Sequence, residues 1–139
     1  MSATIWNPGG TSGALTSKLV KEIALTDMTT VLIASILVAY FRVYAPFRTL
    51  ALYASLSSVS TSGVVTVDVN VNGTSILATK LTIDANEKNS VDAAIPYVFV
   101  GSPAPAFHDF DVGSEVTFDI DTGGTGAKAL VAYFLGFDL

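Results

Sequence analysis

The chain has 139 residues, a length that suits one domain. It contains no cysteine, which excludes disulfide frameworks, thiol catalysis and cysteine-ligated zinc. The net charge is −5 and the seven Lys and Arg are scattered singly, so the basic footprint of a nucleic-acid binder is missing.

Met1 to Thr16 reads as an arm, with residues 17–139 forming the domain. WNPGGTSGALT is rich in Gly, Ser, Thr and Pro, and only Ile5 and Trp6 are large and apolar. Such a stretch buries too little surface to fold alone. Trp6 either covers the edge of its own domain or anchors the arm on a neighbouring subunit.

Leu19 to Leu25 is a short strand ending at Thr26-Asp27. Thr30 to Ala45 follows, TVLIASILVAYFRVYA. β-Branched and aromatic residues dominate it and Pro46 closes it, so a strand is favoured over a helix. Its longest apolar run, Val31 to Phe41, is about half of the ~20 residues that a membrane helix needs. Glu22 and Asp27 precede that run and no small-residue cleavage site follows, which argues against a secretion signal. Phe47 to Leu56 is a further strand, apolar on both faces.

The central signal lies between Gly63 and Ile83. Val65, Val67, Val69 and Val71 alternate with Thr66, Asp68, Asn70 and Asn72. A period of two places the valines on one face of a strand. Asn72-Gly73, both tolerant of positive φ, then predicts a two-residue hairpin turn. The chain returns with Leu77, Leu81 and Ile83 on one face and Lys80 and Thr82 on the other. DANEKNS makes a solvated turn, PYVFV a short strand, and GSPAPA a loop, because Pro103 and Pro105 cannot donate to a ladder. In Ser114 to Asp121, Val116, Phe118 and Ile120 point inward. Thr122 to Gly126 turns the chain, and Ala127 to Phe137 closes it. The count is about eight strands at regular spacing, which predicts an all-β, antiparallel β-sandwich, jelly roll or barrel.

Three strands carry large side chains on both faces. Ile36, Val38, Tyr40, Leu50, Leu52, Leu130 and Phe134 cannot all share a core with Leu37, Phe41, Tyr53, Val131 and Tyr133. A two-layer fold buries only one face of each sheet. The first set is therefore expected at an oligomer interface. Half of all residues are hydrophobic, in keeping with apolar surface buried between chains.

No catalytic, cofactor or metal site is expected. Asp68 to Gly73 matches the first half of an EF-hand loop, but position twelve falls on Thr79 and the valines alternate as a strand. Asp109, Asp111, Asp119 and Asp121 with His108 form a second acidic set, a conceivable calcium site but more simply a solvated loop at HDFD and ordinary surface patterning at Asp119 and Asp121. His108, the single His, would have to serve as base in any Ser-His-Asp triad, and no G-x-S-x-G motif is present. Paired carboxylates could serve a glycosidase, but the sequence does not give their separation. Gly123-Gly124-Thr125-Gly126 lacks the Walker lysine and joins two strands. Trp6, Tyr53, Tyr97 and Tyr133 could stack on sugars, though aromatics in strands are usually core.

FRTLALYASL, then VDVNVNGTSILATKLTID with the NEKNS turn, then FDVGSEVTFDIDTGGTGAKALVAYFLGF resemble a jelly-roll-like module of tailed-bacteriophage virion proteins. That module occurs in head decoration (cement) proteins, head fibres and tail or fibre components. The resemblance spans about Leu25 to Phe137, and NGTSIL and IDTGGTGAKAL are its most specific parts. It implies a β-sandwich that assembles with itself and with a major capsid or other virion protein, located in the virion, without catalysis, nucleic acid or membrane. A capsid decoration protein is the role expected. The alternatives are a tail or fibre tip component and a carbohydrate-binding module that takes a glycan for host attachment.

Overall fold

The computed structural model describes residues 17–139. The arm and Trp6 lie outside the described residues. The described chain is all-β: β1 (Lys18–Ala24), β2 (Ser35–Arg42), β3 (Phe47–Ser55), β4 (Val65–Val71), β5 (Thr74–Ser75), β6 (Leu77–Thr79), β7 (Leu81–Ile83), β8 (Val98–Phe99), β9 (His108–Phe110), β10 (Glu115–Gly123) and β11 (Val131–Asp138). One sheet has the order β1-β11-β3-β9. The other has β2-β10-β4-β5, with β7 also on β4, and β6 pairs with β8. All pairings are antiparallel.

The two main sheets face each other across one core. Phe134 of β11 is its hub. Its ring lies edge-on to Phe41 at 5.7 Å, Phe47 at 6.0 Å, Phe110 at 5.5 Å and Phe118 at 6.0 Å, which joins strands of both sheets. Edge-to-face packing suits the ring quadrupoles and adds to the area each Phe buries. Val65, Val67 and Val69 of β4 and Val116, Phe118 and Ile120 of β10 are buried, as their alternation predicts. Among the described residues every buried side-chain nitrogen and oxygen has a hydrogen-bond partner.

The hairpin turns where it was expected. Asn72 has φ 50° and Gly73 φ 85°, the positive values at both central positions that a type I′ turn needs. The Asn72 carboxamide oxygen accepts the Glu115 N–H at 3.0 Å and so ties the turn to β10. The return limb is less regular than the sequence suggests. It breaks into β5, β6 and β7, which is one reason the strands number eleven and not about eight. Leu77, Leu81 and Ile83 are nevertheless all buried.

Other expectations are corrected. Leu52, Leu130 and Phe134, expected at an interface, are buried in this chain's own core. Tyr53, Val131 and Tyr133, expected in the core, are half-buried on the outer face. In β11 both faces are apolar, so hydrophobicity leaves the parity open, and a one-residue error exchanges the faces. In β3 a bulge resets the phase. Leu135 pairs with Ala51 and Gly136 with Thr49, which leaves Leu50 as the extra residue. Thr49 and Leu52 therefore both point inward, although they are an odd number of positions apart. Gly136 is needed at this point, since a β-carbon there would collide with the Arg48 carbonyl oxygen. The segment 30–34 forms a loop and not the start of β2, and HDF, read as part of a loop, pairs with β3 as the edge strand β9.

Candidate interaction surface

β2 is an edge strand, and it is bulged. Phe118 pairs with Ala39 and Ile120 with Ser35, so Ile36, Leu37 and Val38 stand opposite the single residue Asp119. Leu37 lies in phase with Phe41, which predicts a place in the core. The bulge breaks that phase, and Leu37 is 62% exposed with φ 54°. A bulky non-glycine side chain in the left-handed region is uncommon and costs roughly 1–2 kcal/mol. Ile36 is 84% exposed. Tyr40, which pairs with Thr117 on the outer face, is 62% exposed. Val38 is half-buried and packs against the core.

Asp119 holds the bulge from below. Its Oδ1 accepts the Leu37 N–H at 2.8 Å, and its Oδ2 accepts the Asn70 amide Nδ2–H at 3.0 Å. The loop leading into β2 carries two further exposed apolar side chains, Met28 at 68% and Ile33 at 70%. This loop is set by Asp27, whose Oδ1 accepts the N–H groups of Thr29 and Thr30 at 2.9 and 2.7 Å. These bonds hold the Asp27 carboxyl below its ordinary range. Beside the loop runs an open groove of about 350 Å³, lined by Val31, Ile33, Ser35, Val38 and Ile120 among others.

Of the residues expected at an interface, Ile36 and Tyr40 come together here with Val38 at their base. Leu50 is 37% exposed, but on the other sheet. Met28, Ile33 and Leu37 belong to the same surface and were missed. The first two sit in what read as strand or turn, and Leu37 in what read as core. Three residues facing one leave no periodic trace in the sequence.

The polar sets are each engaged elsewhere. Asp68 accepts the Ser75 hydroxyl at 2.6 Å and pairs with Lys80 at 3.0 Å, while Asn70 and Asn72 bond to Asp119 and Glu115. Asp109 takes both Nε and an η-nitrogen of Arg48, at 2.6 and 2.9 Å, in a bidentate pair. That guanidinium holds the Asp109 carboxyl below its usual range and stacks on Phe107 at 3.8 Å. The His108 ring stands edge-on to Phe110 at 4.8 Å, and burial holds its pKa below 6.5. Partial burial, then the neighbouring Asp68 and Asp119, push the Asp121 carboxyl up. Among the described residues no three His, Asp or Glu side chains gather as a metal ion requires. The glycine-rich loop closes on Ser60, whose hydroxyl accepts the Thr125 N–H at 2.9 Å and lies 2.7 Å from the Gly63 carbonyl oxygen.

Comparison with protein-family models, curated proteins and solved structures finds no match to this chain.

Proposed function

We propose that this chain is a structural protein of a tailed-phage virion, a capsid decoration protein of jelly-roll type that assembles with itself and binds the capsid lattice. The strand order supports the jelly-roll reading. Successive long strands alternate between the sheets, giving β1-β11-β3-β9 against β2-β10-β4-β5. With β5 to β7 counted as one broken limb and β8 set aside, that order supports reading the chain as an eight-limbed double-sheet roll.

The single observation that carries the assembly reading is the apolar surface on β2. Ile36, Leu37 and Tyr40 are large and stand in water together with Met28 and Ile33. Large apolar side chains exposed along one strand and the loop that leads into it mark an interaction site in soluble proteins. Association through one such surface usually closes into a cyclic oligomer. A homotrimer is the number that the phage resemblance implies, because decoration proteins often occupy local threefold positions.

The test mixes the purified full chain with phage heads that lack their decoration protein and sediments the particles. Saturable co-sedimentation at a fixed ratio to the major capsid protein is expected. Failure to sediment, together with a clear response on a glycan array, would move the reading to the carbohydrate-binding alternative.

A further inference from the structure

We propose that the bulged edge of β2, centred on Ile36 and Leu37, is the surface by which one copy of this chain recognises another. This rests on the self-assembly reading above and adds to it the residues at the centre of the contact and the bulge that presents them.

The fold does not require this arrangement. Val38, Ala39 and Phe41 supply the core contacts of β2, whereas Ile36 and Leu37 carry two aliphatic side chains into water. Leu37 is also held in a backbone region that disfavours it. An observed backbone outlier at an exposed apolar tip points to recognition. The tip is rigid as well. Two hydrogen bonds through Asp119 fix it to β4 and β10 before any partner arrives, and a surface ordered in advance loses less freedom on binding.

Charge selects the partner. Residues 28–41 contain no Asp, Glu, Lys, Arg or His, in a chain of net charge −5. Two copies repel over most of their surfaces but can meet at this neutral ridge. The carboxylates beside it, Asp27 and Asp119, are already engaged by the N–H groups of Thr29, Thr30, Leu37 and Asn70, which leaves a basic partner little to pair with, whereas a second ridge is apolar against apolar. The area is also adequate. Five large side chains exposed by about two-thirds amount to on the order of 600 Å², against the ~800 Å² that each partner gives to a standard interface. The bulge further interrupts the β2 edge ladder, so copies pack by side chains and open-ended strand pairing is discouraged.

The experiment is light scattering on the purified full chain and two variants, from micromolar to ~100 μM, with thermal melting as the fold control. Ile36→Asp places a charge on the ridge. Leu37→Gly removes the side chain while suiting the left-handed backbone, so its fold survives even where Ile36→Asp misfolds. We expect an oligomer for the native chain and a dissociation constant raised roughly thirtyfold or more in each folded variant, the mark of a hot-spot residue. Folded variants that keep the native mass and affinity overturn the ridge and leave self-assembly standing. A native chain that is monomeric throughout overturns both.

Discussion

Positive φ serves opposite ends at Gly73 and at Leu37. At Gly73 it closes the hairpin at no steric cost. At Leu37 it turns an aliphatic side chain out of the sheet. A β-carbon at Gly73 meets no heavy atom within 4 Å, so a substitution there reports backbone strain alone. Gly73→Val is expected to cost about 1–2 kcal/mol, seen as a melting temperature lower by several degrees. An unchanged melting temperature would count against the turn. His108 gives a pH signature at the same scale. Burial holds its folded pKa below 6.5, so the unfolded chain binds the proton first as pH falls. The stability that His108 contributes is complete above the unfolded value and is lost as pH drops through the folded one. Melting followed from about pH 7.5 to pH 5 should show a decline that is shallower in His108→Gln. Equal slopes would remove His108 as the cause.

Among the elements, legibility followed amphipathicity. β4 and β10 have one polar and one apolar face, and their alternation placed every inward residue correctly. The hairpin turn was equally legible, because Asn-Gly names its own backbone geometry. β3 and β11 are apolar on both faces, so hydrophobicity carries no parity and Leu52, Leu130 and Phe134 were put on the wrong side. The bulges at Leu50 and at Ile36 to Val38 cannot be read from periodicity at all, since each depends on its partner strand. The interaction surface was therefore half visible. Ile36 and Tyr40 stood out as surplus apolar residues, while Leu37 was hidden by a phase that the bulge cancels. Alanine substitution separates the two faces of β3. Leu52→Ala is expected to cost about 2–5 kcal/mol, because it opens a cavity beneath Phe134 and its neighbours. Leu50→Ala, on the bulge, should change stability by no more than about 0.5 kcal/mol. Chemical denaturation measures both, and similar losses would mean that Leu50 also packs inward.

At the scale of the whole molecule the described residues gather around one core. Asp68, Asn70, Asn72 and Asp109 are each bound by protein groups. EDTA is therefore expected to leave the melting temperature unshifted, and a fall that added calcium reverses would show that the acidic side chains hold an ion. The arm is tested by deletion. From Leu25 to Phe134 the described residues build one core that both sheets share. β1, the first strand after the arm, is held by its ladder to β11, by the Lys18–Asp138 ion pair at 3.2 Å and by Lys21 over the Phe41 ring at 4.7 Å. Removing residues 1–16 should leave the melting temperature within a few degrees of the full chain and leave the β2 surface in place, so the number of subunits in the oligomer is unchanged. What the deletion should weaken is binding to the capsid lattice, read by the sedimentation assay at matched protein concentration. A truncated chain that fails to fold would make the arm part of the domain. One that folds and binds heads as tightly as the full chain would leave attachment to the domain itself, through a surface other than the arm.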